Sequence, residues 1–174
     1  ETCSVYFAEI EVMGTDLDDP PRLTALAGVD LDGDGAREAI VGTAAGHVVA
    51  LDAAGHRRWQ TSVEAPITAL AGIRPNGAGP QSVVYGASPD LLGLLAADGK
   101  KVHEVGIPHY RGIPSEPRNL TVADIDGDGV ASIVAGVRSW QYVAYSPKLQ
   151  LQWQNVIYAH SATVADVADL DGDG

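Results

Sequence analysis

"VDLDGDGAREAIVG" (29–42) sets four acids, Asp30, Asp32, Asp34 and Glu38, within nine positions between two apolar runs. Carboxylates crowded this closely repel one another unless a positive charge sits among them. Nearly the same letters return as "ADIDGDGVASIVAG" (123–136) and "ADLDGDG" (168–174). The stretch is one copy of a repeat, and the repeat decides the fold.

A slide of 44 residues sets "LTALAGVDLDGDGAREAIVGT" (23–43) on "ITALAGIRPNGAGPQSVVYGA" (67–87). It also carries "HVVALDAAGHRRWQ" (47–60) onto "LLGLLAADGKKVHE" (91–104) without a gap. A slide of 94 brings "LTVADIDGDGVASIVAGV" (120–137) and "QYVAYSPKLQLQWQ" (141–154) onto the first copy, Trp153 falling on Trp59. A fourth copy opens at "SATVADVADLDGDG" (161–174). The first copy holds four short β-type runs, "LTALAGV", "EAIVGT", "HVVALD" and "RRWQTSV", with Gly- and Asp-rich turns between them. No segment sustains a 3.6-residue period over helix length. Four antiparallel strands recurring every 44 to 50 residues is the signature of an all-β propeller, one sheet per blade. Tandem β-sandwiches would need about 100 residues each.

The blades fall at 23–66, 67–118 (with an inserted loop) and 119–161. A partial blade precedes them at 1–22, and the next one starts at 162–174. Propellers close with about four to eight blades. The expectation is therefore part of a longer propeller. A four-bladed ring closed by "SVYFAEIEV" (4–12), or a gap filled by another chain, is the alternative.

Counted from Asp30, the first loop has acids at positions 1, 3, 5 and 9 and Gly35 at position 6. Alternate side chains of a looping backbone converge, and Gly at 6 permits the turn that brings the chain back. The Ala36 carbonyl at position 7 adds a neutral oxygen. An all-oxygen set suits Ca²⁺ better than Mg²⁺, which keeps its waters, and no Cys/His cluster offers a zinc site. An EF-hand would need Glu at position 12, where Val41 stands, and flanking helices. The D-x-D-G-D-G-x-x-E loop followed by a short β-run and Gly resembles the calcium hairpin of FG-GAP (VCBS-like) repeats, the blades of integrin α-subunit propellers. That resemblance covers about residues 23–174 and implies Asp30, Asp32, Asp34, the Ala36 carbonyl and Glu38 as calcium ligands. By it the third copy supplies Asp124, Asp126, Asp128 and Val130, weakened by Ser132 at position 9. The last copy supplies Asp169, Asp171 and Asp173. The second copy has Arg74, Asn76 and Ala78 at the ligand positions and keeps Gly77 and Gly79, so the turn outlives the metal site.

The net charge of −12 is concentrated in these loops, which hold ten of the 23 acids; the remainder is nearly neutral against 11 Lys and Arg. This argues for sites rather than an acidic coat, and against a nucleic-acid partner. The longest apolar run, near "LLGLLAA" (91–97), is too short to span a bilayer. Cys3 is the single cysteine, so no intrachain disulfide forms. Calcium loops of this extracellular type are weak, in the ~10⁻⁴–10⁻³ M range, which points outside the cytosol, to a secreted or cell-surface protein. "NLT" (119–121) is a glycosylation sequon.

No nucleophile constellation shows among the dispersed residues His47, His56, His103, His109 and His160. Trp59 and Trp153, with His103 at the same repeat position, read as blade-core anchors. Propeller function lives on loops. The resemblance places the calcium hairpins on one face and the blade-to-blade loops on the other. There, "GIPHYRGIPSEPR" (106–118) supplies His109, Tyr110, Arg111 and Arg118, and "VRSW" (137–140) supplies Arg138 and Trp140. Aromatic rings beside arginine suit a sugar or a peptide.

The expected function is non-enzymatic recognition or adhesion by a calcium-stabilised propeller that binds protein or carbohydrate. Propellers with similar Asp loops also occur in polysaccharide lyases acting on pectic rhamnogalacturonan, which gives a second reading. A third is structural: propellers joined end to end into a surface filament, through Cys3 or open edges.

Overall fold

The computed structural model describes residues 22–157 together with Ala162 and Val167. Among them are twelve strands in three four-stranded sheets and no helix. Blade one contains β1 (Leu23–Val29), β2 (Glu38–Thr43), β3 (His47–Leu51) and β4 (Arg57–Ser62). Blade two contains β5 (Ile67–Ile73), β6 (Ser82–Ala87), β7 (Leu91–Leu95) and β8 (Lys101–Gly106). Blade three contains β9 (Pro117–Ala123), β10 (Ser132–Val137), β11 (Gln141–Tyr145) and β12 (Leu151–Val156). Every pairing is antiparallel between consecutive strands. The chain belongs to the all-β class expected from its repeat.

The sheets stack face to face. Val29, Ile40, Val48 and Ala50 of blade one pack against Ile67, Val83, Tyr85 and Leu95 of blade two. The same repeat positions one blade on, Ile73, Val84, Leu92 and Leu94, pack against Ile133, Ala135, Val143 and Tyr145 of blade three. Successive β6 residues serve opposite neighbours, so "VVY" is apolar without a gap, as a strand buried on both faces requires. The first strands of the blades lie side by side, β1 against β5 and β5 against β9, so they form the inner edge.

Up-and-down order fixes where loops emerge. The Asp loops (30–37, 74–81, 124–131) and the turns before each fourth strand lie at one end. The hairpins 44–46, 88–90 and 138–140 lie at the other, with the connections between blades.

One joint is sealed by Trp59. Its indole Nε1–H donates to the Ala97 carbonyl at 2.9 Å, and the neighbouring Thr61 hydroxyl donates to the Gly99 carbonyl at 2.6 Å. A Cβ on Gly99 would meet the Trp59 ring at 2.7 Å, so only glycine admits it. The joint between blades two and three is built differently. His103 is exposed, and Leu149, at the repeat position of Gly99, is buried in the core. His103 therefore does not share the environment of Trp59, because burial at this repeat position depends on the turn of the next blade. Trp153 is 42% exposed, and the turn of the next blade that would face it lies outside the described residues.

Within blade two, Gly93 stands opposite both Tyr85 and Glu104. The Tyr85 ring passes over Gly93 and its hydroxyl donates to the Glu104 carboxylate. Burial first, and the adjacent carboxylate second, push the Tyr85 phenol well above its usual range. Burial alone pushes Tyr145 up to about 12. Asn119 lies within β9 opposite Gly136.

Candidate functional site

Each Asp loop turns through two left-handed glycines, Gly33 and Gly35 in blade one, Gly77 and Gly79 in blade two, and Gly127 and Gly129 in blade three. Blade two keeps this path without acids, so the path is set by glycine. It folds the loop back and brings carboxylates together. Oxygens of Asp30, Asp32 and Asp34 lie within 4.8 Å of one another, as do those of Asp124, Asp126 and Asp128. Either group could hold a metal ion, and oxygen donors alone fit a hard divalent cation.

The two clusters differ in what already neutralises them. In blade one, Arg58 Nη1 contacts Asp32 Oδ2 at 3.0 Å and Glu38 Oε1 at 2.9 Å. Glu38 Oε2 accepts the Leu31 N–H at 2.9 Å. Arg74, reaching across from the degenerate loop of blade two, contacts Asp30 Oδ2 at 2.9 Å. Gln81 fastens the same residue twice: its N–H donates to the Asp30 carbonyl at 2.7 Å, and its Oε1 accepts the Asp30 N–H at 2.8 Å. The Asp34 carboxylate accepts the Ala36 N–H at 2.7 Å. The Arg58 hydrogen bond holds the Asp32 carboxyl below its ordinary range.

In blade three the carboxylates are held by backbone instead. Asp124 accepts from Gly127 at 2.9 Å and Gly129 at 2.8 Å, and Asp128 accepts from Val130 at 2.7 Å. The Gly129 donor is the main reason Asp124 is held below its usual range. Ser132, at the repeat position of Glu38, donates to Gln152 at 2.9 Å. Asp169, Asp171 and Asp173 lie outside the described residues, as does Cys3.

At the opposite end, the connection between β8 and β9 is ordered against both neighbouring blades. His109 Nε2 meets the Asp90 carboxylate, which stands on the β6–β7 hairpin. Tyr110 and Ile113 bridge across a tight turn whose central residues, Arg111 and Gly112, both have positive φ. The Arg111 guanidinium lies 5.2 Å from the Tyr110 ring centre. Beneath them, the Ser115 hydroxyl sits 2.6 Å from the Pro108 carbonyl and 2.7 Å from the Ser139 hydroxyl. Gln141 Nε2 donates to Ser139 Oγ at 3.0 Å. Ser115, Ser139 and Gln141 are wholly buried, so the insertion is pinned to the β10–β11 hairpin.

That hairpin carries Arg138 and Trp140. The Arg138 N–H donates to the Glu116 carbonyl at 2.9 Å. Trp140 has φ +64 and is 36% exposed, an uncommon backbone for so bulky a residue. Thus His109, Tyr110 and Arg111 share one loop, and Arg138 and Trp140 share the hairpin to which its base is fastened.

Sequence reasoning missed Arg58, Arg74, Asp90, Ser115, Ser139 and Gln141. The exchange of Glu38 and Arg58 for Ser132 and Gln152 at matching repeat positions was a signal for the first. Arg74, a cation at the repeat position of Asp30, was a signal for the second, and the remaining residues stand in no metal-binding pattern.

A family model described as the Lambda-carrageenase beta-propeller domain matches residues 24–113. No curated protein matches the chain. Among solved structures, BBS1N in complex with ARL6DN, soaked with lead, is similar at TM-score 0.63 and 15% identity, over 84% of this chain and 42% of that one. Sqt1 of Saccharomyces cerevisiae is similar at 0.59 and 14%, over 74% and 37%. BamB from Moraxella catarrhalis is similar at 0.53 and 20%, over 78% and 38%. The chain spans about two fifths of the length of these structures. At such identities the likeness shows the propeller fold.

Proposed function

The chain belongs to the lambda-carrageenase β-propeller domain family, and from that premise we propose that it is a calcium-stabilised recognition module binding polysaccharide through the end opposite its Asp loops. The observation that carries this is the exposed Trp140, held in a left-handed conformation on a hairpin fastened to the loop of His109, Tyr110 and Arg111. A planar indole suits the apolar face of a sugar ring, and arginine and histidine suit its oxygens and any acidic substituents. Calcium, as the FG-GAP resemblance implies, rigidifies the other end through Asp30, Asp32 and Asp34 and through Asp124, Asp126 and Asp128. The weak affinity of such loops suits an extracellular setting.

A second reading is catalytic participation in polysaccharide cleavage, favoured by the Asp90–His109 pair, which resembles an oriented base. One assay separates the readings. Affinity electrophoresis against carrageenans and pectic polysaccharides is paired with measurement of new chain ends. Retardation without new ends, weakened about tenfold by Trp140→Ala, is the expected result. New chain ends lost in His109→Ala would favour catalysis. Binding to no polysaccharide, with or without calcium, rejects both and leaves a protein partner to be sought.

A further inference from the structure

Glu38 and Arg58 stand at repeat positions that change together. In blade one they form an ion pair at 2.9 Å, and in blade three the same positions hold Ser132 donating to Gln152 at 2.9 Å. The acid at position 9 is thus matched by a residue on the fourth strand of its own blade. Both Glu38 oxygens are engaged inside the protein, one by Arg58 and one by the Leu31 N–H, and the residue is only 8% exposed. Arg58 also holds Asp32, and Arg74 holds Asp30. Three of the four acids of this loop therefore already touch a guanidinium. No Lys, Arg or His pairs with Asp124, Asp126 or Asp128 among the described residues.

We propose that Arg58 and Arg74 are the resident cations of the blade-one loop, with Glu38 as the partner of Arg58 rather than a metal ligand, so that a divalent ion reaches Asp30 and Asp32 only by displacing guanidinium groups. The two arginines offset half of the loop's four negative charges, whereas the three charges in blade three have no such counter-ion among the described residues. This reverses the order of affinity expected from counting acids. The displacement half rests on the calcium reading above; the ion-pair half does not. A positive charge about 5 Å from a divalent ion weakens its binding by about tenfold or more, even when strongly screened.

The test uses the whole chain with Arg58→Gln, Glu38→Ser and the double variant, which transplants the pair found in blade three. In chelator, each single variant is expected to lower the thermal midpoint, and the double variant by less than the sum of the two. Under calcium titration calorimetry, Arg58→Gln should tighten one site about tenfold, and Glu38→Ser should leave the number of sites unchanged. Asp126→Asn should remove the tighter wild-type site. Additive losses in chelator, or loss of a calcium site in Glu38→Ser with Arg58→Gln unaltered, overturns the proposal. If no variant binds calcium, the calcium reading fails, and the chelator cycle alone decides the ion pair.

Discussion

Tyr85 and Glu104 meet across an intervening strand only because that strand carries Gly93 between them. The phenol's hydrogen bond is the main cause holding the Glu104 carboxyl below its usual range. That contribution is in place above about pH 4.3 and fades as acid carries the group through its lowered value. The Tyr85 phenol is raised, so its contribution is in place below about pH 10 and fades as alkali carries it through the raised value. Tyr85→Phe should cost about 1–2 kcal/mol at neutral pH, with a smaller difference at pH 3, and should reduce the alkaline loss to the part due to Tyr145. Urea unfolding at pH 3, 7 and 10.5 measures all three. None of this was legible in the sequence: Tyr85 and Glu104 stand in no motif, and their meeting depends on strand register. Glu38 shows the converse, since its spacing from Asp30 suggested a ligand while Arg58, 20 residues on, supplies a closer partner.

The strands themselves were readable almost to the residue. "LTALAGV" is β1, "EAIVGT" is β2, and their copies are β5 and β6, because β-type runs are bounded by Gly- and Asp-rich turns. What a repeat cannot specify is the environment of one member. Trp59 lies against the turn at Ala97–Gly99, whereas His103, its counterpart in blade two, is exposed beside a turn whose Leu149 is buried in the core. Trp59→Ala should therefore cost about 2 kcal/mol, below the range for fully buried tryptophan, and His103→Ala within about 0.5 kcal/mol. Chemical denaturation of the two variants provides the comparison. The β8–β9 insertion was legible as an excess over the repeat. Its anchoring by Ser115, Ser139 and Gln141 was not, because three separate segments supply the groups.

Three sheets stacked face to face leave their Asp loops at one end, where any bound ion stabilises the folded state alone. At a hundredfold excess over Kd, one site contributes about 2.7 kcal/mol. For a chain of this size, chelation should lower the melting temperature on the order of 5–10 °C per filled site. Scanning calorimetry with calcium and with excess chelator checks this, and an unchanged transition would remove the calcium reading. The two joints between blades also divide their bulk in opposite ways: a large ring from β4 over glycine in the first, and a small contribution from β8 beside buried Leu149 in the second. The blades are therefore keyed and not interchangeable, despite their common plan. A chain rearranged so that blade three followed blade one would drive the Trp59 indole into the space Leu149 fills. The blades share one plan, but the order in which they close on one another is written in which side of each seam carries the bulk.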